Sequence, residues 1–118
     1  MDIETLRNYC LKKKGIEECF PFNETVLVFK VGGKMFLLAD IDEKPLSFNA
    51  KCDPDKAVSL RESFDFIHPG YHMSKKHWNT IVCDGRIAEK MALELIDESY
   101  ALVFNSLSKK IQAEISMT

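Results

Sequence analysis

Hydrophobic positions along the chain change their period several times, and each change predicts an element. Over Asp2–Lys14, the positions Ile3, Leu6, Tyr9, Cys10 and Lys13 recur at helical spacing, and Asp2 stands where a capping carboxylate belongs. Lys12-Lys13-Lys14 complements the negative end of that helix, which explains three adjacent lysines without a ligand, and Gly15 supplies a stop. Over Val26–Val31 and Lys34–Asp40 the composition becomes β-branched and aromatic, and Gly32-Gly33 lies between the two runs. Two residues of this type signal a hairpin, because the favoured turns need positive φ at both central positions. The register so predicted pairs Val31 with Lys34, Phe29 with Phe36 and Leu27 with Leu38. On the opposite face it pairs Lys30 with Met35, Val28 with Leu37 and Val26 with Ala39. The set carrying the two phenylalanines should pack on helices. The other set is also apolar, so a helix, a long loop or a second subunit is expected to cover it.

Further along, Cys19–Glu24 reads as a loop anchored by aromatics, and Leu46–Lys51 as a third strand after the Asp42-Glu43-Lys44-Pro45 turn. Asp53-Pro54 starts a helix as N-cap and first helical residue, with Ala57, Val58, Leu60, Arg61 and Phe64 on one side. Phe66-Ile67-His68 is a short strand leading into Pro69-Gly70, a pair that favours a tight turn, and Trp78–Cys83 is the strand that returns. From Arg86 to about Ser116 the spacing is helical again. Asp97-Glu98-Ser99 offers a cap in its middle, so this stretch is one bent helix or two. The order α-β-β-β-α-β-β-α predicts a single α+β domain over residues 1–118, an antiparallel sheet of about five strands with helices packed on it.

At 118 residues, with 46% hydrophobic and 29% charged residues, such a domain can bury its own core without a metal or disulfide. The net charge of −2 argues against a protein that is basic all round, so any anion-binding surface must be local. Cys10, Cys19, Cys52 and Cys83 show no CxxC pairing and lie in or beside apolar segments. They read as reduced, buried thiols, which together with the lack of a signal-like leader or membrane-length apolar run makes a cytoplasmic location the expectation.

The most uneven stretch is His68–Cys83. It holds all three histidines, Lys75 and Lys76, Tyr71 and the only tryptophan, and no Asp or Glu occurs between Asp65 and Asp84. His68, His72 and His77 have metal-like spacing only on a helix, which Pro69-Gly70 argues against. Nucleophile elbows, Walker loops and dinucleotide fingerprints are absent, and no nucleophile–base pair stands out; the expectation is a non-catalytic protein with no cofactor and no metal. Nucleic-acid binding fits better. Lys75 and Lys76 can reach phosphates, His72 and His77 add donors, and Tyr71 and Trp78 offer ring faces. Trp78 has a packing reading as well, since strand aromatics usually face a core. Lys34 sits on the neighbouring hairpin, Lys51 ends the third strand, and Asn79 is a secondary contact. The candidate nucleic-acid-binding set is therefore Lys34, Lys51, Tyr71, His72, Lys75, Lys76, His77, Trp78 and Asn79. The competing reading is a protein-interaction module, acting through the doubly apolar hairpin and open to forming a homodimer; a small-ligand pocket under the Trp78 loop is a third.

Pro69-Gly70-Tyr71-His72-Met73-Ser74-Lys75-Lys76-His77-Trp78-Asn79-Thr80 resembles the signature of the MmcQ/YjbR family. Phe29–Phe36 resembles that family's first hairpin, Lys51-Cys52-Asp53-Pro54 its strand-to-helix junction, and Ile96–Tyr100 the start of its last helix; the likeness runs from about Thr5 to Lys110. The resemblance implies a CyaY/frataxin-like fold, also similar to type III secretion chaperones, and a double-wing mode of DNA binding. Iron binding is not implied, because Asp2, Glu4, Glu17 and Glu18 are too few and alternate with lysines to make the acidic ridge of frataxins.

Overall fold

The structure, a computed structural model, describes residues 1–117. Ten elements follow one another: α1 (Ile3–Leu11), β1 (Ile16–Cys19), β2 (Val26–Val31), β3 (Lys34–Asp40), β4 (Leu46–Lys51), α2 (Pro54–Ser63), β5 (Ile67–Pro69), β6 (Trp78–Cys83), α3 (Glu89–Ser106) and α4 (Lys109–Ser116). The strands form one antiparallel sheet in the order β1-β2-β3-β4-β6-β5. The α+β architecture is the one expected, with an added edge strand. β1 escaped the sequence reading because Glu17-Glu18 interrupts any apolar alternation, which is how an edge strand protects itself from unwanted pairing.

Local chemistry sets the element ends. The Asp2 carboxylate accepts from the Thr5 amide at 2.8 Å and starts α1, and Gly15 follows the helix with φ +72°. Asp53 caps α2 through the Lys56 amide, with Pro54 in its first turn. The long C-terminal helix does break, but at Leu107, where Ser108 caps α4 through the Ile111 amide, and not at Asp97-Glu98-Ser99. Ser99 is fully buried instead. Its hydroxyl donates to the Phe36 carbonyl at 2.5 Å and accepts from the Lys51 amide at 2.8 Å, tying α3 into the edge of the β3–β4 ladder.

The helices cover one face of the sheet. Leu6 and Cys10 from α1, Ala92, Leu95, Ile96 and Val103 from α3, and Ile115 from α4 pack on Leu27, Phe29, Val31, Leu37, Phe48 and Ile81. A bulge between Phe29 and Lys30 corrects the predicted hairpin register. Val31 pairs with Lys34 and Lys30 with Met35, but Phe29 then pairs with Leu37 and Val28 with Leu38. The bulge lets Phe36 and Leu37 both enter the helix-side core, and it places Leu38, not Leu37, beside Val28 on the other face. That second face is closed by the chain's own loop: Val28, Leu38 and Trp78 form a small buried cluster against which Cys19, Val26, Met35 and Met73 pack.

Candidate nucleic-acid interface

Antiparallel pairing brings three cation-bearing segments to one end of the sheet. Lys34 opens β3, Lys51 closes β4 opposite Trp78, and Trp78 opens β6 directly after the 70–77 loop. The Cys52 amide donates to the His77 carbonyl at 2.8 Å, so the end of β4 and the loop are joined there. The hairpin turn beside Lys34 is built as its sequence suggests: Gly32 and Gly33 both take positive φ, +57° and +81°.

The 70–77 loop is built differently. Gly70 has ordinary φ; its bare α-carbon is needed because a Cβ there would lie 2.7 Å from the Trp78 Cβ and 2.9 Å from the Trp78 carbonyl oxygen. Pro69 ends β5, and the turn comes one step later, closed by the Met73 amide on the Gly70 carbonyl at 3.2 Å. His72 occupies the third position of that turn with φ +59°, a conformation usually given to glycine. A second turn follows, in which the His77 and Trp78 amides reach the Ser74 carbonyl and put Lys75 and Lys76 at the corner.

Two side-chain clamps hold the loop to the sheet. From below, the half-buried Arg61 of α2 donates through Nε to Asn79 Oδ1 at 2.6 Å and through Nη2 to the Lys75 carbonyl and, at 3.3 Å, the Trp78 carbonyl. From the second face, Thr80 Oγ1 accepts from the Tyr71 amide at 2.9 Å and donates to Asn49 Oδ1 at 2.5 Å, while Asn49 Nδ2 donates to the Tyr71 carbonyl at 3.1 Å. Arg61, Asn49 and Thr80 were not singled out from the sequence. For Arg61 a signal existed, since it is a charged residue among the apolar positions of α2; a planar fork with several donors suits such a bracket.

The candidate residues therefore separate. Asn79 is buried, its carboxamide spent on Arg61 and, through Nδ2, on the Ala57 carbonyl at 3.3 Å, so it supports the loop from inside and presents nothing at the surface. Trp78 is buried against Val28 and Leu38, the packing reading of that residue. The Lys75 ammonium turns back on its own loop and donates to the Gly70 carbonyl at 2.9 Å. Lys34, Lys76 and His77 are exposed and Lys51 is half-buried; among the described residues none is in an ion pair. Tyr71 is 69% exposed, with its ring centroid 4.0 Å from that of His72.

Several cations elsewhere are committed, although Lys12, Lys30, Lys44, Lys90, Lys109 and Lys110 stand outside the ion pairs found among the described residues. Arg7 pairs with Glu18, Lys13 with Asp97, Lys56 with Glu98 and Arg86 with Asp84. Lys14 donates to the Ser116 carbonyl, so with the Lys13–Asp97 pair two of the three lysines after α1 tie that end to the C-terminal helices. Cys10, Cys52 and Cys83 are buried and burial raises their pKa, Cys10 to about 12, which suits inert core thiols. The cavity beside Asn79, bounded also by Lys51 and Leu60, is about 10 Å³, room for roughly one water. Among the described residues no group of three or more His, Cys, Asp or Glu stands together as a metal site, and no helix is long and apolar enough to cross a membrane.

Fold and site together define a single-sheet α+β domain with helices on one face and a loop clamped over the other. The YjbR family model matches residues 11–102, and the chain belongs to that family. It is 36% identical over 112 residues to the uncharacterized protein YbdF of Escherichia coli, covering 95% of this chain and 92% of that protein. It is 28% identical over 111 residues to the uncharacterized protein YjbR of Escherichia coli, covering 93% of each. Among solved structures, a Deinococcus radiodurans protein with a DUF419 domain superposes with a TM-score of 0.93 at 36% identity, over 98% of this chain and 88% of that one. A Pseudomonas syringae protein gives 0.75 at 26% identity, over 87% and 99%.

Proposed function

We propose that this chain is a non-catalytic, DNA-binding module that holds phosphates with the cations at one end of its sheet. What supports the reading is the company kept by those cations. Lys34, Lys51 and Lys76 come from a hairpin turn, a strand end and a clamped loop, all leaving the sheet at the same end, and none has a carboxylate partner among the described residues. His72 and His77 add donors on the same loop. Phosphate is a ligand that several separately mounted ammonium groups suit, and it requires no pocket. With a net charge of −2, affinity is modest and depends steeply on salt. About three or four phosphate contacts give a slope of log K against log salt near −3. Titration of a fluorescent oligonucleotide, single-stranded and duplex, at about 20 and about 200 mM salt tests this, and no binding of either form at low salt removes the proposal.

A chaperone-like, protein-interaction module that meets a second copy or a partner protein across Val26, Val28 and Leu37 is the other reading. Its motive is weaker here, because Leu37 enters the helix-side core and Val28 is buried beneath the 70–77 loop. Sedimentation as a dimer at micromolar concentration would restore it.

A further inference from the structure

The best-built exposed feature of the loop is a ring, not a charge. Tyr71 is held at both ends of its own backbone: the amide is bound by Thr80 Oγ1 and the carbonyl by Asn49 Nδ2, at 2.9 and 3.1 Å. Those two side chains are themselves hydrogen-bonded across β4 and β6. The next residue, His72, is fixed in the left-handed region, and its ring lies 4.0 Å from the Tyr71 ring at a tilt of 52°. An aromatic side chain mounted this firmly would ordinarily be buried, yet Tyr71 is 69% exposed, and among the described residues neither its hydroxyl nor its ring meets a partner other than His72. The chain spends four side-chain and backbone groups to present this ring to solvent.

We infer that Tyr71 is a stacking platform for an unpaired base, and that the preferred ligand is single-stranded nucleic acid. The inference rests on the phosphate-binding reading above and specifies its substrate class. In a duplex each base has both faces occupied by its neighbours, so a protruding ring has no face to meet unless it pries the stack apart, at a cost of a few kcal/mol per step. An unpaired strand offers a face at every base, and stacking on an aromatic ring is tolerant of sequence. Charge points the same way. A net-acidic domain that offers Lys34, Lys51 and Lys76 at that end, outside the ion pairs found among the described residues, is poorly matched to a duplex, which carries one negative charge per roughly 1.7 Å of axis. Stacking adds a contribution that salt does not screen, which a weakly basic surface needs.

The test compares a labelled oligothymidylate with a duplex hairpin of mixed sequence, each titrated with the wild-type protein and with Tyr71→Phe and Tyr71→Ala. Tyr71 makes only the ring contact with His72 besides its backbone clamp, so both variants should fold, which circular dichroism checks. The expected result is tighter binding of the single strand than of the duplex and upfield movement of the Tyr71 ring protons on binding it. Single-strand affinity falls about ten-fold in Tyr71→Ala and is retained in Tyr71→Phe, with duplex affinity the same in all three. Equal or tighter binding of the duplex, or a Tyr71→Ala variant that binds the single strand as well as wild type, overturns this inference and leaves phosphate binding standing. Binding of neither form overturns both.

Discussion

Two turns project from the same end of this sheet, and they are made rigid in opposite ways. The β2–β3 turn takes its backbone conformation from its own residues, although Gly32 also lies against the Leu107 side chain. Gly32 and Gly33 take the positive φ that a two-residue connection needs, and the ladder continues on both sides. The 70–77 loop owes its shape to distant residues: Arg61 from α2, Asn49 from β4, Thr80 from β6, and the close approach of Gly70 to Trp78. A short turn can be encoded where it stands. A longer loop that leaves carbonyls and amides without a ladder must find partners elsewhere, because unpaired buried polar groups are costly.

That contrast can be broken most forcefully at Arg61. Arg61→Ala strips a partner from buried Asn79 Oδ1 and from the Lys75 and Trp78 carbonyls; unfolding in urea should show a loss of about 3 kcal/mol. The emission of Trp78, the only tryptophan, should shift to the red before the global transition. A wild-type profile would show that the bracket is ornamental. Gly70→Ala comes next. Its methyl meets backbone and Cβ atoms of Trp78 that cannot swing away, and a loss of about 2 kcal/mol is expected in the same assay. Thr80→Val keeps shape but leaves the Tyr71 amide and Asn49 Oδ1 without their partner; about 1–2 kcal/mol should be lost. Amide exchange should quicken at Tyr71 while the β2–β3 turn stays protected. On the local turn, Gly33→Asn puts a side chain into open space at a φ that Asn tolerates, so the melting point should register a loss of only about 1 kcal/mol. His72→Gly has the smallest effect and the opposite sign. Relief of the left-handed backbone slightly outweighs the added freedom of the unfolded chain, giving a gain of about 0.5 kcal/mol by calorimetry.

The same division explains what was legible beforehand. The Asp2 and Asp53 caps, the Gly-Gly hairpin, the strand ending at Cys83 and the family likeness carried by residues 69–80 were all readable, because each depends on neighbours within a few positions. The Phe29 bulge was not, since nothing local marks it: it arises because Phe36 and Leu37 can both be buried against helices that come later in the chain. Ser99 read as a cap for the same reason. Its sequence neighbours suit a helix start, whereas its partners, the Phe36 carbonyl and Lys51 amide, come from strands far back along the chain.

For the candidate interface, the sequence by itself determined which residue types are concentrated between His68 and Cys83, and hence that a basic, aromatic-bearing loop had to exist. Tertiary structure alone decided what each of them does. Trp78 and Asn79 go inside, Lys75 turns back to its own backbone, and Tyr71 is clamped outward. The physical reason is that strand alternation and antiparallel pairing assign faces and ends to the sheet. Only when α2, β4 and β6 meet around the loop is it settled which polar groups are consumed and which remain for a ligand.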